Sequence, residues 1–214
     1  MENQLLTSDD DFFISAVQNE VFNRIFPKIR HDLVGNVSAS LIRVSIMDRI
    51  LKKDYDLEKI KSELSKIDQQ LRNNIIEIRD LAFWDFATNQ EDNPSDVLIK
   101  SVQLVSSQLA FKGIELKVQV AEHENLGTVQ TKPFLYCLLC VFSYLEDTYS
   151  NCVFNLHLTS STIMIKHECE VEGSTEIIPN HRHLKITAET VIKFARFHQM
   201  YIVYDDKQIV IQWN

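Results

Sequence analysis

Arg30-His31-Asp32 sets an imidazole between a guanidinium and a carboxylate, in a stretch whose apolar residues recur every three or four positions. A neutral, exposed ring nitrogen is a competent nucleophile for phosphoryl transfer. The apolar seam centres near Ile29 and Leu33. At about 100° per residue, His31 then lies roughly 150° from that centre, on the outer face. Lys28, Gly35, Ser38 and Ile42 share this face. Lys28 or Arg30 can offset charge on a transferred group, because such catalysis is mostly positioning and electrostatics. Gly35 and Ser38 leave room for a partner. Ile42, apolar and outward, has little reason to be there unless something docks on it. Asp32 is the acid that can accept a hydrogen bond from the other ring nitrogen of a nearby histidine. The plain alternative for His31 is a surface histidine without a role.

Other chemistry-bearing residues are weaker candidates. Cys137 and Cys140 form a C-x-x-C inside an apolar run from Phe134 to Leu145, where reduced cysteine behaves as a small hydrophobe. Cys152 and Cys169 complete the cysteines. His181-Arg182-His183 is a His-x-His without a third metal ligand at a telling distance, so it reads as polar loop. His157 and His167 alternate with apolar residues and are expected to face solvent. Glu189, Lys193 and Arg196 read as the wet face of the last helix. Glu146 and Asp147 are acids in a helix, usually solvated rather than metal-bound. Asp9, Asp10 and Asp11 read as a helix start.

The elements that must position these residues follow from periodicity. Phe12 to Phe26 reads as helix, and Pro27 either opens a new helix or kinks this one. Phe26, Ile29, Leu33, Val37, Leu41, Val44, Met47 and Leu51 mark an amphipathic helix. Polar Lys52-Lys53-Asp54-Tyr55-Asp56 breaks the pattern. Leu57, Ile60, Leu64, Ile67, Leu71, Ile75, Ile78 and Leu81 mark a second seamed helix. Two such helices with a short turn make an antiparallel hairpin that cannot cover its own stripes. A second copy can cover them, giving a twofold four-helix bundle. Alternatively, the helices pack on the rest of the same chain.

Asp85 to Asp96 is a polar linker. Ser95 is the expected N-cap of a helix from Asp96 to Lys112, and Gly113 is its stop. Strands follow over Ile114–Val120, Cys152–Leu158, Thr162–Cys169, Tyr201–Tyr204 and Gln208–Trp213. Helices fall over Pro133–Tyr149 and Thr187–Gln199. Thr159-Ser160-Ser161 is the turn between two of the strands. The expected class is α+β: a helical region over 1–88, including an N-terminal helix at 8–26, then an α/β sandwich over 95–214.

The bulk numbers agree with a globular chain. Apolar residues make up 45%, charged residues 24%, and the formal net charge is −8. That charge disfavours nucleic acid and anionic membrane surfaces as partners. No apolar run of about 18 residues occurs and the first residues do not resemble a signal peptide, so a cytoplasmic location is expected. Only four glycines are present, and none belongs to a Gly-rich phosphate loop.

Arg30-His31-Asp32-Leu33-Val34-Gly35-Asn36 resembles the H-box of sensor histidine kinases, in which a histidine followed by an acid opens the dimerisation hairpin. The order of elements in the second half resembles their ATP-binding, Bergerat-type domain. The departures matter more. Where that family places magnesium-binding asparagines, this chain has Cys140 and Tyr144. Where it places Asp-x-Gly-x-Gly and a Gly-rich lid, this chain has His167-Glu168-Cys169-Glu170-Val171-Glu172-Gly173 and then Glu176 to Lys185. A kinase fold without its nucleotide pocket resembles the dimeric histidine phosphotransferases of bacterial phosphorelays. By that resemblance His31 carries a phosphoryl group between the aspartates of response-regulator receiver domains. No cofactor of its own is implied, because the regulator's acidic pocket brings Mg²⁺. A non-catalytic adaptor of the same fold and a divergent, ATP-dependent kinase remain the alternative readings.

Overall fold

The computed structural model describes residues 8–53, 56–80, 90–121, 126–167, 169, 184–205 and 207–213. They fall into two compact units, one of residues 1–25 with 89–214 and one of residues 26–88. Helix α1 (Ser8–Lys53) contributes to both, running through Pro27 without a break. The tolerance is local: proline removes one intrahelical donor, and the rest of the long ladder persists.

The hairpin unit consists of α1 from residue 26 onward and α2 (Leu57–Asp80). Leu33, Asn36, Ala39, Ser40 and Met47 of α1, and Ile60, Ile67, Gln70 and Asn74 of α2, are among its covered or half-covered positions. The expected seam is therefore only partly covered within one chain. Val37, Leu41, Val44, Leu51, Leu57, Leu64, Leu71, Ile75 and Ile78 are exposed. A single neighbouring helix shields one narrow flank, and this apolar stripe is wider than that.

The α/β unit follows the expected order. It contains α3 (Pro94–Ala110), β2 (Glu115–Val120), α4 (Thr131–Thr148), β4 (Val153–Leu158), β5 (Thr162–His167), α5 (Ala188–Phe197), β6 (Met200–Asp205) and β7 (Gln208–Trp213). A two-residue ribbon not foreseen from sequence, β1 (Glu91–Asp92) with β3 (Val129–Gln130), is antiparallel. The five-stranded sheet has the order β2-β4-β5-β7-β6. Only β2 and β4 run parallel. Phe154, Leu156 and Leu158 of β4, Ile163 and Ile165 of β5, and Ile209, Ile211 and Trp213 of β7 alternate inward and are buried. Helix α4 is apolar on nearly every side, as a central helix must be, and α3 and α5 pack on it.

Local chemistry explains the boundaries. Helix α3 begins one residue before the expected Ser95 cap: Asn93 is the N-cap, its Oδ1 accepting from the Ser95 amide at 2.8 Å. Pro94 takes the first helical position, where its missing donor costs nothing. Gly113 ends the turn after α3 with φ of 69°, and a Cβ there would collide with Asn151.

Residues 8–25 pack on the α/β unit rather than with the hairpin. Val17, Val21 and Ile25 are buried on one face of α1. Arg24, also buried, donates from Nη1 and Nη2 to both carboxylate oxygens of Asp147 at 3.0 and 2.9 Å, from Nε to Glu20 at 2.8 Å, and to the Leu184 carbonyl. A buried guanidinium needs this number of acceptors. Truncating it strands two shielded carboxylates, which typically costs about 3–5 kcal/mol. Arg24→Ala is expected to lower unfolding stability by that order in urea titration. A loss under about 1 kcal/mol contradicts the assignment.

Candidate functional site

Ser40 fixes the geometry of the hairpin. Its Oγ donates to the Asn36 carbonyl at 3.1 Å and meets Gln70 Oε1 of α2 at 3.2 Å. Three residues on, Arg43 donates to Glu63 at 3.0 Å. Hydrogen bonds from Lys66 first and Arg43 second hold the Glu63 carboxyl below its usual range. These links mark the side of α1 that faces α2. His31 stands nine residues before Ser40, about 900° of rotation, so it points half a turn away from the seam.

His31 is exposed, as are Arg30, Gly35 and Ser38. Ile42 is 61% exposed and Lys28 is half-buried. Gly35, one turn beyond His31, has nothing within 4 Å of where a Cβ would project. The result is a low ledge beside the imidazole with an apolar residue at its far end. Asp32 lies in α1, but its side chain falls outside the described set. The histidine, its flanking cation, the ledge and the apolar edge thus lie along one face.

Of the two positions where the resemblance would place magnesium-binding asparagines, Cys140 is buried and Tyr144 half-buried; residues 168 and 170–183, where it would place the nucleotide motif and lid, lie outside the described residues. Cys140 is 0% exposed. Burial raises its thiol strongly, with Cys137 adding to the rise and Arg24 opposing it. The ring of Tyr144 stands edge-on to Tyr149 at 6.4 Å and to Tyr204 at 5.3 Å. Burial, then the Tyr144 neighbour, pushes Tyr149 up to about 12 and Tyr204 further. Glu146 accepts from Gln108 Nε2 at 2.7 Å, and Asp147 holds both Arg24 and the Ile186 amide. Neither acid is left as a ready metal ligand.

Other sequence candidates sort as follows. Cys137 and Cys140 are both buried, as the apolar run requires. Glu189, Lys193 and Arg196 are exposed on α5, and Lys193 also reaches Asp10 at 4.0 Å and the Phe13 ring at 4.3 Å. His181 and His183 lie outside the described residues. His157 is half-buried. His167 is not solvent-facing but 6% exposed, a correction with a simple cause. Its parity matches Ile163 and Ile165, and alternate strand residues share a face.

Sequence reasoning also missed Arg24 and the pairing of Cys152 with Cys169. These cysteines form a disulfide with Cα atoms 5.4 Å apart. A signal existed for them: both stand the same distance from the turn at Ser160-Ser161, so the β4–β5 register sets them opposite each other.

No protein-family model matches the chain, and no curated protein sequence matches it. Among solved structures, the cytoplasmic segment of histidine kinase QseC is similar at TM-score 0.44 and 12% identity, covering 68% of this chain and 91% of that one. The Acinetobacter baumannii histidine kinase AdeS is similar at 0.43 and 13%, covering 86% and 97%. A structure described as a bacterial phosphotransferase is similar at 0.40 and 13%, covering 97% of each chain. Overlaps at this level assign no residue a role.

Burial pushes the Cys137 thiol up to about 12, so almost no thiolate exists at pH 8. Iodoacetamide at pH 8 is therefore expected to leave Cys137 and Cys140 unmodified in native protein and to modify both in denaturant, as read by peptide mass spectrometry. Rapid native labelling of either contradicts their enclosure.

Proposed function

We propose that this chain is a phosphohistidine carrier that accepts and donates phosphoryl groups through His31. The observation that supports this best is the half-turn between His31 and the Ser40 seam. A residue opposite the seam is reachable by a second protein while the hairpin stays intact. In the transfer, a ring nitrogen of neutral His31 attacks the phosphorus of an acyl phosphate on a partner aspartate. The N–P bond forms, the P–O bond breaks, and the carboxylate leaves with its charge. Arg30 and Lys28 offset charge on the moving group. Asp32, the acid that follows in the sequence, is assigned by the resemblance to the same step. Mg²⁺ belongs to the partner's acidic pocket, and the partner is a response-regulator receiver domain that docks on Gly35, Ser38 and Ile42.

The closed surroundings of Cys140 and Tyr144 support the second half of the reading, that ATP is not the donor. A phosphate needs close approach of backbone or a metal with open coordination. The surroundings of Cys140 and Tyr144 instead hold Arg24 and the rings of Tyr149 and Tyr204.

The functional unit is a homodimer. Val37, Val44 and Leu51 of α1 and Leu57, Leu64, Leu71 and Ile78 of α2 recur at seven-residue spacing and are exposed. Each stripe is rotated the same way from its helix's seam. In an antiparallel pair, equal rotations lead to the same side of the hairpin, so the stripes merge into one apolar face. A second copy brings an identical face, which closes a four-helix bundle. His31 points away from that side and stays accessible.

Two experiments test the reading. His31→Ala is expected to abolish acceptance of label from a phosphorylated receiver domain, with the circular dichroism spectrum and sedimentation of the wild type. Acceptance by the variant, or unchanged signalling output in cells carrying it, points to the adaptor reading instead. Leu64→Glu with Leu71→Glu is expected to convert dimer to monomer in analytical ultracentrifugation, because each leucine contributes roughly 1 kcal/mol on full burial and a charge reverses that sign. Wild-type protein that sediments as a monomer at micromolar concentration contradicts the dimer.

A further inference from the structure

At the end of the sheet, β4 and β5 bring together three soft-metal ligands that phosphotransfer does not use. Cys152 precedes β4, His167 closes β5, and Cys169 lies two residues beyond it. The two sulfurs and a ring nitrogen of His167 lie within 4.8 Å of one another. His167 is more than nine-tenths buried, against the rings of Tyr149 at 5.0 Å and Phe154 at 5.4 Å. Its Nδ1 is enclosed and has no hydrogen-bond partner among the described residues. A buried ring nitrogen without a partner is costly unless something binds it.

We propose that Cys152, His167 and Cys169 form a redox-gated zinc site. The spacing suits it: Zn–S bonds of about 2.3 Å and Zn–N bonds of about 2.0 Å hold such ligand atoms closer to one another than 4.8 Å. Two thiolates cancel the charge of Zn²⁺, so the centre is neutral and tolerates its half-buried position. Cys152 and Cys169 also line a surface hollow of about 400 Å³ with Lys117, Asn151, Val153 and Asn155, from which water can complete a tetrahedron.

The disulfide and the metal site exclude each other, because both use the same two sulfurs. Opening the disulfide takes two electrons and two protons from a reductant, such as a dithiol that becomes a disulfide itself. Zn²⁺ then displaces the two thiol protons, which leave to solvent. The oxidised chain holds its covalent bridge, and the reduced chain holds the same two backbone segments through the metal.

The test uses the full chain, reduced with a phosphine and stripped of metal, then titrated with Co²⁺ and Zn²⁺. We expect one Co²⁺ per chain, with a thiolate-to-cobalt charge-transfer band and tetrahedral visible bands, displaced by one Zn²⁺. Oxidation of the same sample is expected to release the metal, and re-reduction to restore binding. Cys152→Ser is expected to lose part of the charge-transfer band. His167→Ala is expected to weaken binding by more than the roughly 10–100-fold typical of an outer-shell partner. Absence of a stoichiometric cobalt spectrum in the reduced wild type overturns the proposal. So does an unchanged spectrum in both Cys152→Ser and Cys169→Ser, which places the thiolates elsewhere. The redox cycle on wild-type protein decides the matter even if the variants fold poorly.

Discussion

The enclosed guanidinium of Arg24 is the fixed point of the α/β unit. It reaches Asp147 and Glu20 and caps the Leu184 carbonyl just before α5. One side chain therefore joins the start of α1, the end of α4 and the approach to α5. A charge so placed is tolerable only while every acceptor is present. The arrangement also sets its positive charge where it opposes the rise of the buried Cys140 thiol.

The hairpin works under a different constraint. Its helices share a narrow seam pinned by Ser40–Gln70 and Arg43–Glu63. In the hairpin unit, His31, Ser38 and Ile42 of α1, all opposite Ser40, are exposed. The flank between these two directions carries the apolar stripe. One helix thus divides its circumference into a face for α2, a face suited to a second copy and a face suited to a visiting protein. The 3.6-residue repeat makes that division automatic once the residue spacing is given.

Much of this was legible in the sequence. The two seamed helices, the helix–strand order of the second half, the stop at Gly113 and the outward direction of His31 follow from period and turn chemistry. The start of α3 was off by two residues because proline outranks serine as a start signal when an asparagine precedes it. What residues 8–25 pack on was not legible, because periodicity shows that a face is apolar, not what covers it. Arg24 drew no notice, since two of its three hydrogen-bond partners, Asp147 and Leu184, lie more than a hundred positions away. His167 was misjudged on strand phase, and the cystine needed the register of β4 on β5. Long-range partners and parity on short strands are where local patterns carry least information.

The most direct test of the central claim is to locate the phosphoryl group. Native protein would be incubated with a phosphorylated receiver domain and Mg²⁺, digested under mildly alkaline conditions that preserve phosphohistidine, and sequenced by mass spectrometry. Modification confined to His31 and lost on brief acid treatment is the predicted result. Stable modification at another residue, or none while the receiver domain retains its label, contradicts the account.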